Sequence, residues 1–471
     1  MTFYHIFRGI YCFLAAFVIG YSIFKKRKFD ILVIYVFSSI IYFFPVLIGE
    51  FQSFVFLEKG YTYKPQEIYY KSYLVLIINL MVCLVWMFMS DCRRHKNTYK
   101  KTMDLYLNDY ESIIVVISEI VILCLNFILC YRLRNYIFVE KFDKTKLMEH
   151  MTLFDTLALN ISYYFFIISF SCKMRWKKVS MVIALLCISY SLALAKRSEL
   201  VLGIIAVVYV WVTRNSESSL WELLWKRKYL LLTGLVFFCA VFLSKPVLNA
   251  AVQGDWKQIF MYFKRDGKLI ESFIYSESNV ITSNLNEILR LNVTADGDTY
   301  RFASLGFIPF IGTLSDSVLV PSDFYELYQP IVYPKISGWG AANCFLAEAV
   351  CNGGILTLIC MVHLLCCTFV IMEKILYKNM NVFFKAGILA IMPHLAFYIH
   401  RNTLFYVIKT IRIFVYFSLV LTVIYILLTY KQPERRYLKR NLTAGKSVRD
   451  IAGNKRIRWK NRMIADISEK L

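Results

Sequence analysis

Runs of about 20 apolar residues recur along almost the whole chain, each long enough to cross a ~30 Å hydrocarbon layer as a helix. Lipid offers the backbone no hydrogen-bond partner, so such segments are expected as helices. They lie near 4–24, 30–49, 69–90, 112–131, 154–172, 179–195, 199–213, 229–244, 339–372, 383–399 and 404–430. The expectation is an all-α polytopic membrane protein of about eleven transmembrane helices. Composition agrees: 58% of the 471 residues are hydrophobic, which excludes an ordinary soluble enzyme.

Charge sorts the loops between these runs into two alternating sets. One set contains Lys25-Lys26-Arg27-Lys28, Arg93-Arg94 with Lys96, Lys100 and Lys101, then Lys173, Arg175, Lys177 and Lys178. It continues through Arg214, Lys226-Arg227-Lys228, the 373–385 loop and the C-terminal tail, and it holds 33 of the 55 Lys and Arg. The positive-inside rule therefore predicts an outer N-terminus and a cytoplasmic C-terminus. The net charge of +23 is then mostly cytoplasmic and calls for no nucleic acid. The basic tail at 431–471 is expected to lie on anionic headgroups, with Met463, Ile464, Ile467 and Leu471 on a short surface helix.

These signals divide the chain into an N-terminal bundle of about eight spans (1–244), a large outer loop (245–338), C-terminal membrane helices (339–430) and the tail. The loop is too long for a connector and is expected to be partly helical, with a surface helix at Trp256–Phe273 and a second helix at 280–291. Its later part, carrying Pro309, Pro321, Pro330 and Pro334, reads as irregular. Its Tyr, Trp, Asp and Asn content suits a neutral polar ligand such as a sugar. The run at 339–372 exceeds one crossing and is interrupted by Gly353-Gly354, so a half-helix or re-entrant arm at about 341–351 is expected before a full span. Basic residues follow the first apolar run, so it is expected to stay as an uncleaved span. The thirteen cysteines sit in or beside spans without zinc spacing, and no nucleotide-binding motif appears in a fitting context, so no metal or cofactor is expected.

The last run, Leu404–Tyr430, carries Lys409 and Arg412 three residues apart on one helix face, with Arg401 just ahead. A charged side chain at a bilayer centre costs roughly 2.5–3.5 kcal/mol, so these groups ask for anionic company. Snorkelling is the alternative for Lys409, which lies within ~10 Å of the helix start. Lys196-Arg197 with Glu199 form a polar hinge between two short runs on the same outer side. If the bundle gathers these helices, Lys196, Arg197, Arg401, Lys409 and Arg412 make one cationic pocket, and arginine forks suit a diphosphate. Glu348 is a carboxylate in an apolar run, either a general base for a sugar hydroxyl or a partner for an arginine. His400 is a second candidate base at the outer mouth, with His394 behind it. Asp296-Gly297-Asp298 is either a divalent-cation pair or a turn. Glu119 and Asn126 in the fourth run read as interhelical hydrogen-bonding groups.

The segment 343–354, NCFLAEAVCNGG, resembles the F-x-A-E-A-Y-x-N-F-G segment of Wzy-type O-antigen and capsular polysaccharide polymerases. Phe345, Ala347, Glu348, Ala349, Asn352 and Gly354 fill its positions, while Val350 and Gly353 replace its aromatics. The layout is similar too, with AKRSELVLG as a basic hinge and Arg301 and Gly312 matching an Arg-x(10)-Gly outer-loop motif. The resemblance implies a GT-C-like architecture and adds Arg301 and Asn352 to the substrate-binding candidates. It also implies an undecaprenyl-diphosphate-linked oligosaccharide as substrate, a bacterial inner-membrane location, and a chain-length regulator and a flippase as pathway partners. The related ligases carry a His-Asn pair where Ala342-Asn343 stand here. A lipid-linked oligosaccharide flippase and a non-catalytic export component are the alternatives.

Overall fold

The computed structural model describes residues 2–25, 29–57, 60–94, 103, 105–137, 144–194, 196, 198–214, 277–308, 323–334, 342–378 and 380–430. The expected span at 229–244, the surface helix at 256–273, the basic tail and Arg197 lie outside these residues. Two compact units are present, Met1–Ser418 and Leu419–Leu471. The described part of the second is the end of an apolar helix, with Leu427 and Leu428 more than half exposed.

In chain order the described elements begin with helices α1 (Thr2–Phe24), α2 (Ile31–Tyr42) and α3 (Phe44–Ile48), and strands β1 (Glu50–Leu57) and β2 (Gly60–Glu67). Helices α4 (Tyr70–Arg94), α5 (Asp109–Arg132), α6 (Arg134–Ile137), α7 (Lys144–His150), α8 (Leu153–Ser171), α9 (Lys177–Ala193) and α10 (Ser198–Arg214) follow. The outer-loop region contributes α11 (Glu277–Arg290), α12 (Asp298–Leu305) and α13 (Phe324–Val332). The C-terminal part holds α14 (Phe345–Cys351), α15 (Gly354–Leu376), α16 (Val382–Ala396), a 3-10 turn at Tyr398–Arg401, and α17 (Leu404–Tyr430).

Six of the described helices are long and apolar enough to cross a membrane: α1, α4, α5, α8, α15 and α17. They carry apolar side chains outward where water would not stabilise them. Phe13 on α1, Ile117, Val121, Phe127 and Ile128 on α5, and Leu356 and Leu364 on α15 are each more than half exposed. The chain is a multi-pass membrane protein.

Of the other expected runs, 229–244 lies outside the described residues, and local chemistry divides or shortens several of those that are described. Pro45 has no N–H to give Ile41, so the 30–49 run divides at Phe43 into α2 and α3. Gly49 then ends α3 at φ +91°, where a side chain would meet Arg8 and Tyr4 within 2.8 Å. The 339–372 run divides at the glycines into α14 and α15, with Gly354 at φ +71°. At 17 residues each, α9 and α10 are shorter than the six.

The helical plan carries one small exception. Residues 50–67 form an antiparallel hairpin, pairing Glu50 with Glu67 and Leu57 with Gly60. Its Phe, Val, Tyr and Thr content favours strand pairing over helix. A correction concerns the proline-bearing segment: α13 forms and contains Pro330. Its start is fixed by Asp323, whose carboxylate accepts from the Phe324 N–H at 2.7 Å.

Helix α8 is enclosed from Ile161 through Ile168 and serves as an axis of the bundle. Its Tyr163 hydroxyl donates to the Ala390 carbonyl at 2.9 Å, and Tyr164 donates to Phe383 O at 2.6 Å, fastening α16 against it. Glu119 on α5 accepts from Ser180 of α9 at 2.8 Å and also from Ser169 of α8. Asn126 donates to Ser162 at 3.0 Å and to the Cys187 carbonyl at 3.2 Å. At the end of this trio, Asp155 accepts from Tyr190 at 2.8 Å and pairs with Arg132. Buried polar groups in apolar surroundings seek partners, and neighbouring helices supply them for Glu119 Oε1, the Asn126 amide N–H groups and Asp155. Helix α11, from the outer-loop region, is buried along Ile281, Leu285 and Ile288 and packs on β1, α2, α3, α4 and α14.

Candidate active site

Helix α17 begins with N–H groups that no helical carbonyl can satisfy. Glu348 of α14 answers one of them: its Oε2 accepts from the Leu404 N–H at 2.8 Å. A carboxylate there also meets the positive end of the helix dipole. The α14 backbone is fixed on the other side by Asn343, whose N–H donates to the Arg401 carbonyl at 2.9 Å, and by the Cys351 carbonyl, which accepts from Ala295 at 2.9 Å. Asn352 is committed in the same way, donating to Thr299 Oγ1 and to the Glu348 carbonyl, both at 2.7 Å.

Glu348 is 1% exposed, and α14 lies outside the six candidate spans. Burial pushes its carboxyl up to about 8; the Leu404 N–H pulls it down and the charge of Asp323 pushes it further up. Its second oxygen, Oε1, has no hydrogen-bond partner of normal geometry among the described residues, although the Thr299 hydroxyl lies close enough to favour the charge. Asp323 is itself raised by burial and accepts from Thr403 at 3.4 Å. Tyr300 senses the Glu348 charge from α12. Glu348 thus sits in an enclosed polar knot joining α12, α13, α14 and the start of α17. No ion pair to an arginine is found for it among the described residues, so the arginine-partner alternative has no geometric support there.

The expectation that His400 stands at an open mouth is corrected. Its ring is fully buried, stacked on Tyr35 at 4.8 Å and flanked by Tyr42 and Phe43. Burial draws its pKa down to about 3, so the imidazole is neutral. The surrounding aromatics come from α2, which turns the 3-10 segment inward. His394 is likewise buried, packed against Tyr163 and Phe414.

The basic residues come together as their positions on separate elements allowed. Lys409 is partly buried and lies within electrostatic reach of both Arg412, one turn on, and Lys196, from the α9–α10 turn. Lys196 is held there by its N–H, which donates to the Ser191 carbonyl at 2.8 Å. Arg412 donates to the Ile308 carbonyl beyond α12, and Tyr416 donates to Phe307 O at 3.3 Å, so the outer-loop region folds over this face of α17. Among the described residues no ion pair neutralises Lys196, Lys409 or Arg412. Lys409 is repelled by both other cations unless an anion enters. Arg401 places its guanidinium over the Tyr398 ring at 4.9 Å, and its charge reaches Tyr406 on the first turn of α17.

Arg301 is separate from this group: it pairs with Asp298 at 3.2 Å and is 77% exposed. Gly297 stands at φ +83° and opens α12, so Asp296-Gly297-Asp298 forms the turn into that helix. Sequence reasoning missed Asp323, Thr299 and Tyr300. Asp323 had a readable signal, because Asp323 with Glu326 three residues on is a helix-start pattern. Comparison of the chain with family models, with curated proteins and with solved structures returned no match.

Proposed function

We propose that this protein is a polysaccharide polymerase that transfers a glycan from undecaprenyl diphosphate onto another lipid-linked repeat unit at the outer face of a bacterial inner membrane. The observation that supports the reading is Lys409, which lies within electrostatic reach of both Arg412 and Lys196, with none of the three in an ion pair among the described residues. A diphosphate esterified to a lipid delivers anionic charge at this depth while its tail stays in hydrocarbon. The proposed topology has about eleven spans, with the N-terminus outside and the C-terminus in the cytoplasm.

The acceptor hydroxyl oxygen attacks the anomeric carbon of the donor, and the bond from that carbon to the diphosphate oxygen breaks. The electron pair leaves with the diphosphate, where the cation group stabilises it. The hydroxyl proton passes to a base or to water. Glu348, mostly protonated at neutral pH and 1% exposed, acts first as the group that fixes the start of α17 and hence the register of Lys409 and Arg412. His400 supports the same turn from within its aromatic cage. Arg401, whose charge reaches Tyr406 on the first turn of α17, extends the anion site.

Charge-removing changes test this in cells. Arg412→Ala and Lys409→Ala are expected to abolish long-chain polymer while leaving the amount of inserted protein unchanged. Normal polymer from both variants would leave these residues as snorkelling side chains and remove the basis of the reading.

A further inference from the structure

A cavity of about 900 Å³ opens between α1, the end of β2, the start of α4 and the end of α11. None of its lining residues belongs to the cation group. Its volume falls in the range of ligand pockets, about 300–1,000 Å³, and is far larger than an ion requires.

Beside the aliphatic Ile68 and Leu74, the lining carries two kinds of group. Tyr4, Phe7, Tyr69 and Tyr70 contribute aromatic faces. Gln66, Glu67, Asn286 and Arg290 contribute amide, carboxylate and guanidinium groups among them. Several of these are held in place before any ligand arrives. Arg290 is fixed by Glu287, with Nε at 3.0 Å and Nη2 at 2.6 Å. Asn286 is 2% exposed and accepts from the Tyr69 N–H at 2.5 Å. Lys71 lies over the Tyr69 ring at 5.9 Å and donates to Asn292 at 3.0 Å.

This chemistry selects among ligands. A lipid tail would set the exposed Gln66 amide and Glu67 carboxylate against hydrocarbon. A free diphosphate would meet Glu67 beside an arginine already engaged by Glu287, so no net positive charge awaits it. A sugar satisfies both halves: its C–H faces lie on aromatic rings, and its hydroxyls reach amide, carboxylate and guanidinium groups. We infer that this cavity is a carbohydrate-binding site for glycan residues remote from the diphosphate. It rests on the polymerase reading and extends it to a second subsite. Binding at such a remote site can be used to position the reacting centre.

The test uses the full-length protein in lipid nanodiscs and two probes. One is sugar-free undecaprenyl diphosphate; the other is the oligosaccharide released by mild acid hydrolysis of the surface polysaccharide of the same cells. Wild type is expected to bind both. Tyr69→Ala and Arg290→Ala are expected to weaken oligosaccharide binding at least tenfold and to leave undecaprenyl diphosphate binding within twofold, which also shows that the variants fold. Gln66→Ala, an exposed side chain, is expected to weaken the oligosaccharide alone by several fold. Unchanged oligosaccharide affinity in Tyr69→Ala and Arg290→Ala, or no oligosaccharide binding by wild type, overturns the inference. Loss of undecaprenyl diphosphate binding by wild type would instead remove the polymerase reading, so the two failures are distinct.

Discussion

Replacing Glu348 by Gln separates a buried neutral acid from a working base. Burial lifts this carboxyl from 4.5 to about 8. At about 1.4 kcal/mol for each pH unit, that interval is about 5 kcal/mol. The sign follows from proton uptake. Between pH 4.5 and 8 the folded protein keeps a proton that the unfolded chain releases, so stability contributed by this group falls as pH rises and levels off above about 8. Of the full interval, about 3 kcal/mol falls between pH 6 and pH 9. Glutamine copies the protonated shape, and its carbonyl still accepts from the Leu404 N–H, so Glu348→Gln loses none of this. The assay is urea unfolding of purified wild type and variant in detergent, followed by tryptophan fluorescence. Taking the difference between the two proteins cancels the other titrating groups. Wild type is expected to lose about 3 kcal/mol relative to the variant between pH 6 and 9. A difference flat in pH would refute the reasoning, because it would mean the carboxylate is already ionised and has a charge partner. Polymer synthesis gives the complementary reading: a positioning role predicts activity in Glu348→Gln, whereas a base role predicts none and a wild-type rate that climbs as pH rises through about 8.

Gly49→Ala is expected to lower stability by ~1 kcal/mol or more, since φ +91° disfavours any side chain and the new Cβ would press on Arg8 and Tyr4; denaturation midpoints check it. Glu119→Ala should reduce the amount of inserted protein, because the carboxylate that joins Ser169 of α8 to Ser180 of α9 is lost, at about 0.5–1.5 kcal/mol for each hydrogen bond, while Glu119→Gln should retain most of it. Reporter fusions at residues 60, 145 and 290 are expected outside and those at 100, 220 and 450 in the cytoplasm. A cytoplasmic signal at 290 would move the proposed site to the wrong face.

Much of the helical plan was legible because lipid leaves few choices for an apolar run. The breaks at Pro45 and at Gly353-Gly354 show where legibility depends on single residues: the glycine break was readable inside a run too long for one crossing, whereas Pro45 sat in a run of ordinary length. The hairpin at 50–67 was missed because a β-prone stretch this short, between two membrane runs, reads as a connector despite its Phe, Val, Tyr and Thr content. At the site, Lys196, Lys409 and Arg412 were legible only as charges needing company, since an intramembrane charge is costly wherever it lies; which of them would be neighbours depends on how the bundle folds. His400 was misjudged because its neighbours, Tyr35, Tyr42 and Phe43, are more than 350 residues away in sequence. The partner of Glu348 was not readable either. It is a backbone N–H at a helix start, and such groups carry no sequence signature.

The most direct measurement is polymerisation in vitro by the purified protein, supplied only with the lipid-linked repeat unit. The expected result is a ladder of longer glycans on lipid, with one undecaprenyl diphosphate released for each unit added, and loss of both in Arg412→Ala. A wild-type protein that moves the lipid-linked unit across a vesicle membrane without lengthening it, or that leaves it unchanged, would contradict the assignment.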